Sequence, residues 1–584
     1  MSTKSVVGIN DDIMITDGEN IISDKSDVCQ ILNDHFTGTQ SEEINDDEHI
    51  DYFVDCLENI RNESQIDCKE FNFVPVPVKQ VKTKLRALKI KKAAGYDLIP
   101  PKLVKLTVNQ IAKPLTNVIN QNIYRNHFPD KLKYANISPA FKKDDFLSRE
   151  NYRPISVLTC FSKIFEGVMA DQIKDYFEPI LISYVSAFRS GYSCQSLLLK
   201  MTEDWRKSLD KNDVIGALMI DLSKAFDNIN HEKVCMKLSE YGFSDSAIQL
   251  MRSYLFGRKQ RVKIGSECSK WNEMQKGVPQ GSVLGPLIFN IFMNDIFYVV
   301  KHCSLYNYAD DNNLCYSNRD IETVQSVLQQ EAVNIMDWFQ ANNVRANPSK
   351  FQCMVLGSDE KLILDIGDQH IVSSQRVKIL GVIIDDRLTF NDQISHICKK
   401  AARQLNVLRR LSYMLVKDTR MIIYKSFILS NFNFCPLIWH FCGVVNSRKM
   451  EKIQERALRF VFGDYVSSYE NLMKEAKLVN IYLMRLRQLA VEVYKSLNGL
   501  GPKYIQELFS INDVQYDTRS NRLTQPKFKT ITYGFNSISY KGTKIWNGLP
   551  EPLQNAISLQ EFKRLIKTWE GPNCDCLMCE RLLT

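Results

Sequence analysis

Stretches with an apolar residue at every third or fourth position alternate along this chain with short, nearly unbroken aliphatic blocks. The first pattern predicts helices and the second buried strands. Val78 to Leu88 has helical spacing and runs into Lys91-Lys92-Ala93-Ala94-Gly95-Tyr96-Asp97-Leu98-Ile99-Pro100, where Gly and Pro break the period. Ala217-Leu218-Met219-Ile220 reads as a buried strand, as do Cys353 to Gly357 and the run Val377-Lys378-Ile379-Leu380-Gly381-Val382-Ile383-Ile384. Helical sequence returns from about Ile394 to Phe462, and residues 480 to 570 mix both signals. Helical and strand-like segments in this arrangement predict an α+β fold. Gly285 to Val300 is the most apolar long stretch, but Asn290, Asn294 and Asp295 interrupt it and it is shorter than the roughly 20 residues a bilayer requires, so it predicts a buried helix and no membrane segment. Residues 1–70 are polar and acid-rich, with one amphipathic patch from Val28 to Phe36, and predict a partly disordered linker remnant carrying a helix. No internal repeat is present.

Composition narrows the partner and the compartment. Lys and Arg outnumber Asp and Glu by 75 to 67, a modest excess of the sign a phosphate backbone attracts. The 16 cysteines are mostly scattered singly, which predicts reduced thiols and an intracellular setting, nucleus or cytoplasm. Met1 to Asp17 has neither a basic start nor a continuous apolar core, so it is no signal peptide and secretion is not expected. Near the end, Cys574, Cys576 and Cys579 have spacing reminiscent of zinc ligation. Three thiols fall one short of the four ligands of a closed structural site. Lys399, Lys400, Arg403, Arg409 and Arg410 cluster where the long helical region begins, and fit either a solvated face or a surface that holds nucleic acid.

The chemistry concentrates in three blocks. Tyr308-Ala309-Asp310-Asp311 sits on a tight turn between strand-like runs. Asp221 ends the strand at Ala217 to Ile220 and is followed by Leu222-Ser223-Lys224-Ala225-Phe226-Asp227. Between them lies Gly277-Val278-Pro279-Gln280-Gly281-Ser282. An Asp-Asp turn alone is most simply a solvated hairpin tip. In this order, however, the blocks resemble the palm motifs of reverse transcriptases from non-LTR retrotransposons, in particular the jockey-like group. Upstream, Lys142-Lys143-Asp144 and Asn151-Tyr152-Arg153-Pro154-Ile155-Ser156 resemble the fingers block of the same family, and Asn347-Pro348-Ser349-Lys350 a later one.

The resemblance implies a right-hand polymerase fold: fingers and palm over residues 71–392, a helical thumb over 393–480, and a mostly helical C-terminal extension over 481–584. It implies an RNA-directed DNA polymerase that uses an RNA template, a DNA primer or target and deoxynucleoside triphosphates. Two Mg²⁺ ions would be held by Asp221 and Asp310, with Asp311 completing the triad. Lys142 and Arg153 would clamp the triphosphate, Phe226 would lie under the sugar and exclude a 2′-hydroxyl, and Gln280 with Gly281 would contact the nucleotide. Arg189 would touch the template, and Lys350 would donate a proton to the leaving pyrophosphate. Each also has a plain reading: Phe226 as a core residue, the glycines as turn formers, the cations as surface charges. Complete elements of this family carry an endonuclease ahead of the polymerase. About 70 residues are too few for one, so target nicking is expected from elsewhere. The competing reading is a truncated remnant that binds nucleic acid without synthesis. An RNA-dependent RNA polymerase shares the palm logic but is disfavoured by Phe226.

Overall fold

The computed structural model describes residues 13–38, 50–64, 70–511 and 523–571. Cys574, Cys576 and Cys579 lie outside them. The chain forms two compact units that interleave in sequence. The first takes residues up to Phe188, Leu222–Lys301 and Val333–Asn347; the second takes Arg189–Asp221, His302–Ala332 and the residues from Pro348 on.

In the first unit a mixed sheet runs in the order Tyr152–Leu158, Tyr134–Phe141, Lys259–Ile264, Glu267–Cys268, with Asn272–Glu273 also paired to Lys259–Ile264. Tyr134–Phe141 is antiparallel to Tyr152–Leu158, placing Ala140 opposite Arg153, and parallel to Lys259–Ile264. The region read as a linker supplies this sheet's cover. Helix Lys25–Thr37 is started by Asp24, whose carboxylate accepts from the amides of Ser26 and Asp27, and it lays Val28, Cys29 and Leu32 against Ala135, Ile137, Leu158, Val262 and Ile264. That apolar stripe is too short to announce its partner in the sequence; only the sheet makes it a core.

The apolar stretch from Gly285 forms two buried helices, Gly285–Met293 and Ile296–Val299. Its polar interruptions are all used. Asn290 donates to the carbonyl of Ala187 at 2.6 Å, and Asp295 accepts from Lys237 Nζ at 2.7 Å and from the Trp338 indole at 3.0 Å. The Lys237–Asp295 pair is 1% exposed on each side, and the ammonium lies over the Phe292 and Trp338 rings; burial disfavours both charges, and these partners reduce that cost without cancelling it. Among the described residues no helix is long and apolar enough to cross a membrane.

The second unit is built on an antiparallel sheet in the order Gln352–Leu356, Val214–Ile220, Asp311–Asn318, Ser304–Tyr308. Val214–Ile220 is flanked on both sides and almost wholly buried, which accounts for its unbroken apolar sequence. A Cβ on Gly216 would stand 2.3 Å from Leu328 Cδ1 and 2.7 Å from Val324 Cγ1, so the absent side chain lets helix Ile321–Ala341 approach the strand. The run read as one strand from Val377 is a hairpin, Arg376–Ile379 with Val382–Asp385, because Leu380 (φ 46°) and Gly381 (φ 85°) both take the left-handed conformation of a tight two-residue turn.

Helix Asn391–Arg410 opens the long helical region, and helix Val444–Phe462 closes it. Described segments beyond residue 500 pack within the same unit on helix Cys194–Asp210. Glu203, 1% exposed, accepts from the amides of Ile538 (2.8 Å) and Ser539 (3.1 Å), and Asp210 accepts from the amides of Lys529 (2.9 Å) and Thr530 (2.6 Å).

Candidate active site

The carboxylates stand at the ends of adjacent strands. Val214–Ile220 ends directly before Asp221, and its last pairing is Ile220 with Asn312. Carried one residue further, that register sets Asp221 opposite Asp311. The hairpin turn is Ala309-Asp310, closed by the pairing of Asp311 with Tyr308. Ala309 is buried and holds φ at 55°, a conformation that side-chain-bearing residues rarely adopt. A strained alanine persists only where its surroundings over-determine it. Here they do: Asn307 Nδ2 donates to the Ala309 carbonyl at 2.8 Å and to Asn312 Oδ1 at 2.9 Å, and Asn312 Nδ2 reaches the Asp310 carbonyl at 3.4 Å. Both asparagines are buried, and they face each other in the register. Tyr308 hydrogen-bonds Cys194 beside them, and burial before all else pushes its phenol up to about 12.

A cavity of about 450 Å³ opens at these strand ends, lined by Asp221, Asp311, Lys350 and Lys378 among others. Lys350 Nζ lies 3.6 Å from Asp221 Oδ2, with the side chains 60% and 40% exposed, so the pair is solvated and weak. Asp310 is exposed at the turn and does not line the cavity. Among the described residues no three His, Cys, Asp or Glu side chains are grouped as a metal centre. The donors are nevertheless of the right kind for a hard divalent cation: carboxylate oxygens, open to solvent, in a cavity with room for water and phosphate.

The other expected site residues lie as follows. Phe226 is half-buried, stacked on Phe289 with centroids 4.3 Å apart and 13° between planes, and edge-on to Phe188 at 5.9 Å. Gln280 Nε2 donates to Asp227 Oδ1 at 2.8 Å, and its carbonyl accepts from the Ser156 amide at 2.8 Å. Gly281, at φ 119°, would place a Cβ 2.8 Å from the Ser156 carbonyl, so backbone approach requires glycine there. Arg153 is exposed on its strand, and Lys142 is exposed just beyond the paired strand, its amide donating to Asn151. Arg189 lies over the Tyr192 ring, 4.3 Å from its centroid. Lys399, Lys400, Arg403 and Arg410 are exposed and Arg409 half-buried on helix Asn391–Arg410, where Lys399, Arg403 and Arg410 form one stripe opposite the buried Ile397, Ala401 and Leu405.

Four residues escaped the sequence reading. Asn307 and Asn312 brace the turn, Lys378 lines the cavity, and Glu166 accepts from the amides of Val283 (2.6 Å) and Leu284 (3.4 Å), fixing the segment after Gly281. Paired asparagines flanking an Asp-Asp turn inside apolar strands were a visible signal; Lys378 and Glu166 had none.

Residues 141–384 match the family model described as reverse transcriptase (RNA-dependent DNA polymerase). Similar proteins include a probable RNA-directed DNA polymerase from transposon BS of Drosophila melanogaster, 26% identical over 405 residues, 66% of this chain and 44% of that one. The corresponding polymerase from transposon X-element of the same fly is 27% identical, covering 67% of this chain and 44% of the relative. The RNA-directed DNA polymerase from mobile element jockey of Drosophila funebris is 25% identical, with 67% and 44% covered. The matched region thus spans less than half the length of these relatives.

Proposed function

We propose that this chain, whose residues 141–384 carry a reverse transcriptase domain, is an RNA-directed DNA polymerase of the non-LTR retrotransposon type, extending a DNA primer on an RNA template with deoxynucleoside triphosphates. The observation that carries the reading is the pairing of Val214–Ile220 with Asp311–Asn318, which brings Asp221 beside a strained, doubly braced Asp310-Asp311 turn. Strain of this kind is retained where a side chain must be aimed.

In this reading residues 71–392 make fingers and palm, 393–480 the thumb and 481–584 an extension. Asp221 and Asp310 would hold two Mg²⁺ ions, with Asp311, which lines the cavity beside Asp221, completing the set. The ions, when bound, activate the primer 3′-hydroxyl and neutralise charge on the phosphates. Lys350, 3.6 Å from Asp221, protonates the pyrophosphate as it leaves, a role its solvated ammonium supports. Lys142 and Arg153 clamp the triphosphate. Phe226, held flat by Phe289, gives the sugar an inflexible floor that a 2′-hydroxyl would strike. The basic stripe on helix Asn391–Arg410 grips the hybrid by its phosphates, as required of a surface that must accept every sequence.

Primer extension on RNA and DNA templates, with deoxynucleotides or ribonucleotides and with Mg²⁺ present or chelated, tests the reading. Mg²⁺-dependent DNA synthesis on RNA is expected. Hybrid binding with no extension under any condition would replace it with the non-enzymatic remnant.

A further inference from the structure

Asp227 closes a knot of three segments within the first unit. The chain at 226–229 is tied to the loop at 277–281 by the Gly277 amide on the Ile229 carbonyl (2.7 Å) and the Val278 amide on the Phe226 carbonyl (2.9 Å). At Gly277 (φ 82°) a Cβ would stand 2.6 Å from the Asp227 carbonyl, so the two backbones touch. The loop is tied in turn to strand Tyr152–Leu158 by the Ser156 amide on the Gln280 carbonyl. Side chains join the first two segments through Gln280 Nε2, which donates to Asp227 Oδ1 at 2.8 Å. Lys224 and Arg153 lie near enough to attract the same carboxylate. Asp227 is half-buried, its backbone amide is spent on the Lys224 carbonyl in a 3₁₀ turn, and a carboxylate in such a place needs partners.

We propose that Asp227 is a positioning residue for nucleotide selection: its carboxylate fixes the carboxamide of Gln280 and balances Arg153, so that both present one preset face to an incoming deoxynucleoside triphosphate. The inference rests on the polymerase reading above. An amide side chain free to rotate offers donor and acceptor indifferently; one whose Nε2 is committed to Asp227 offers its oxygen in a fixed direction. Pre-setting of this kind acts on nucleotide binding and discrimination before it acts on the chemical step.

The test is steady-state single-nucleotide insertion by the full chain carrying D227A, D227N, Q280A or D227A with Q280A. Removal of a hydrogen bond to a charged group corresponds to about tenfold, so D227A and Q280A should each raise KM for the correct deoxynucleotide by about tenfold, with a smaller change in kcat. D227A should raise misinsertion, and the loss in the double variant should fall well short of the product of the two single losses, because both remove the same hydrogen bond. D227N keeps an acceptor for Gln280 Nε2 and should lie between wild type and D227A, which keeps the test open if D227A folds poorly. An unchanged KM in D227N and D227A, or additive losses in the double variant, overturns the inference. Wild-type extension is the separate control on which the polymerase reading stands. In an inactive chain, crystal structures of wild type and D227A decide: a Gln280 carboxamide still ordered in the same direction without Asp227 overturns the proposal.

Discussion

At the scale of single residues the second unit offers three carboxylates in unequal positions. Asp221 and Asp311 share a cavity, while Asp310 stands at the tip of the turn. With Asp221 and Asp310 as the metal-bridging pair, D221N and D310N should each lower extension by on the order of a thousandfold, about 4 kcal/mol of transition-state stabilisation, and D311N by less. Hybrid affinity should hardly move, since it depends on dispersed Lys and Arg. Single-turnover rates on pre-bound primer-template measure this. Equal or reversed losses for D310N and D311N would shift the second ligand to Asp311. For Phe226 the stacking on Phe289 supports both the sugar floor and the core reading at once. F226A separates them by admitting ribonucleotides roughly tenfold more readily relative to deoxynucleotides, or by lowering stability with selectivity unchanged.

At the scale of elements, what the sequence disclosed and what it withheld divide by the range of the forces involved. The strand before Asp221 was legible because a strand covered on both faces must be apolar throughout, and the turn at 308–311 because short polar residues between two strand-like runs favour a hairpin tip. The leucine and glycine that fold 376–385 back on itself were not, since Leu380 at φ 46° is an uncommon choice for its place. Nor was the role of helix Lys25–Thr37, whose partners lie more than a hundred residues away. Gly216 shows the same dependence on distant packing. G216A should destabilise the second unit by about 1–3 kcal/mol through its clash with Leu328 and Val324, read as a lower Tm. On helix Asn391–Arg410, replacing Lys399, Arg403 and Arg410 by Gln should leave the fold intact and flatten the salt dependence of hybrid binding by about one unit of slope for each phosphate that is no longer neutralised. An unchanged slope would make the stripe a solvated face.

At the scale of the whole chain, linear order and packing disagree, and the consequence falls on the residues beyond 500. Sequence read them as an extension, yet within the second unit the described ones are stitched to the helix that leads into strand Val214–Ile220. Glu203 caps the helix Ile538–Asn547 through two amides and the Ser539 hydroxyl, Asp210 gathers the amides of Lys529 and Thr530, and Tyr504 reaches Ser196 at 3.4 Å. Removing a buried acceptor leaves its donors unsatisfied at about 1–3 kcal/mol, so E203A should lower Tm by several degrees although Glu203 touches neither the cavity nor any residue assigned to the nucleotide. E203Q retains one acceptor oxygen and should fall between. Because strand Val214–Ile220 ends at Asp221, loosening its preceding helix should lower extension as well, and in proportion to stability: activity of E203A should recover at lower temperature, whereas that of D221N should not. A fully active, fully stable E203A would show that the residues beyond 500 are an appendage after all.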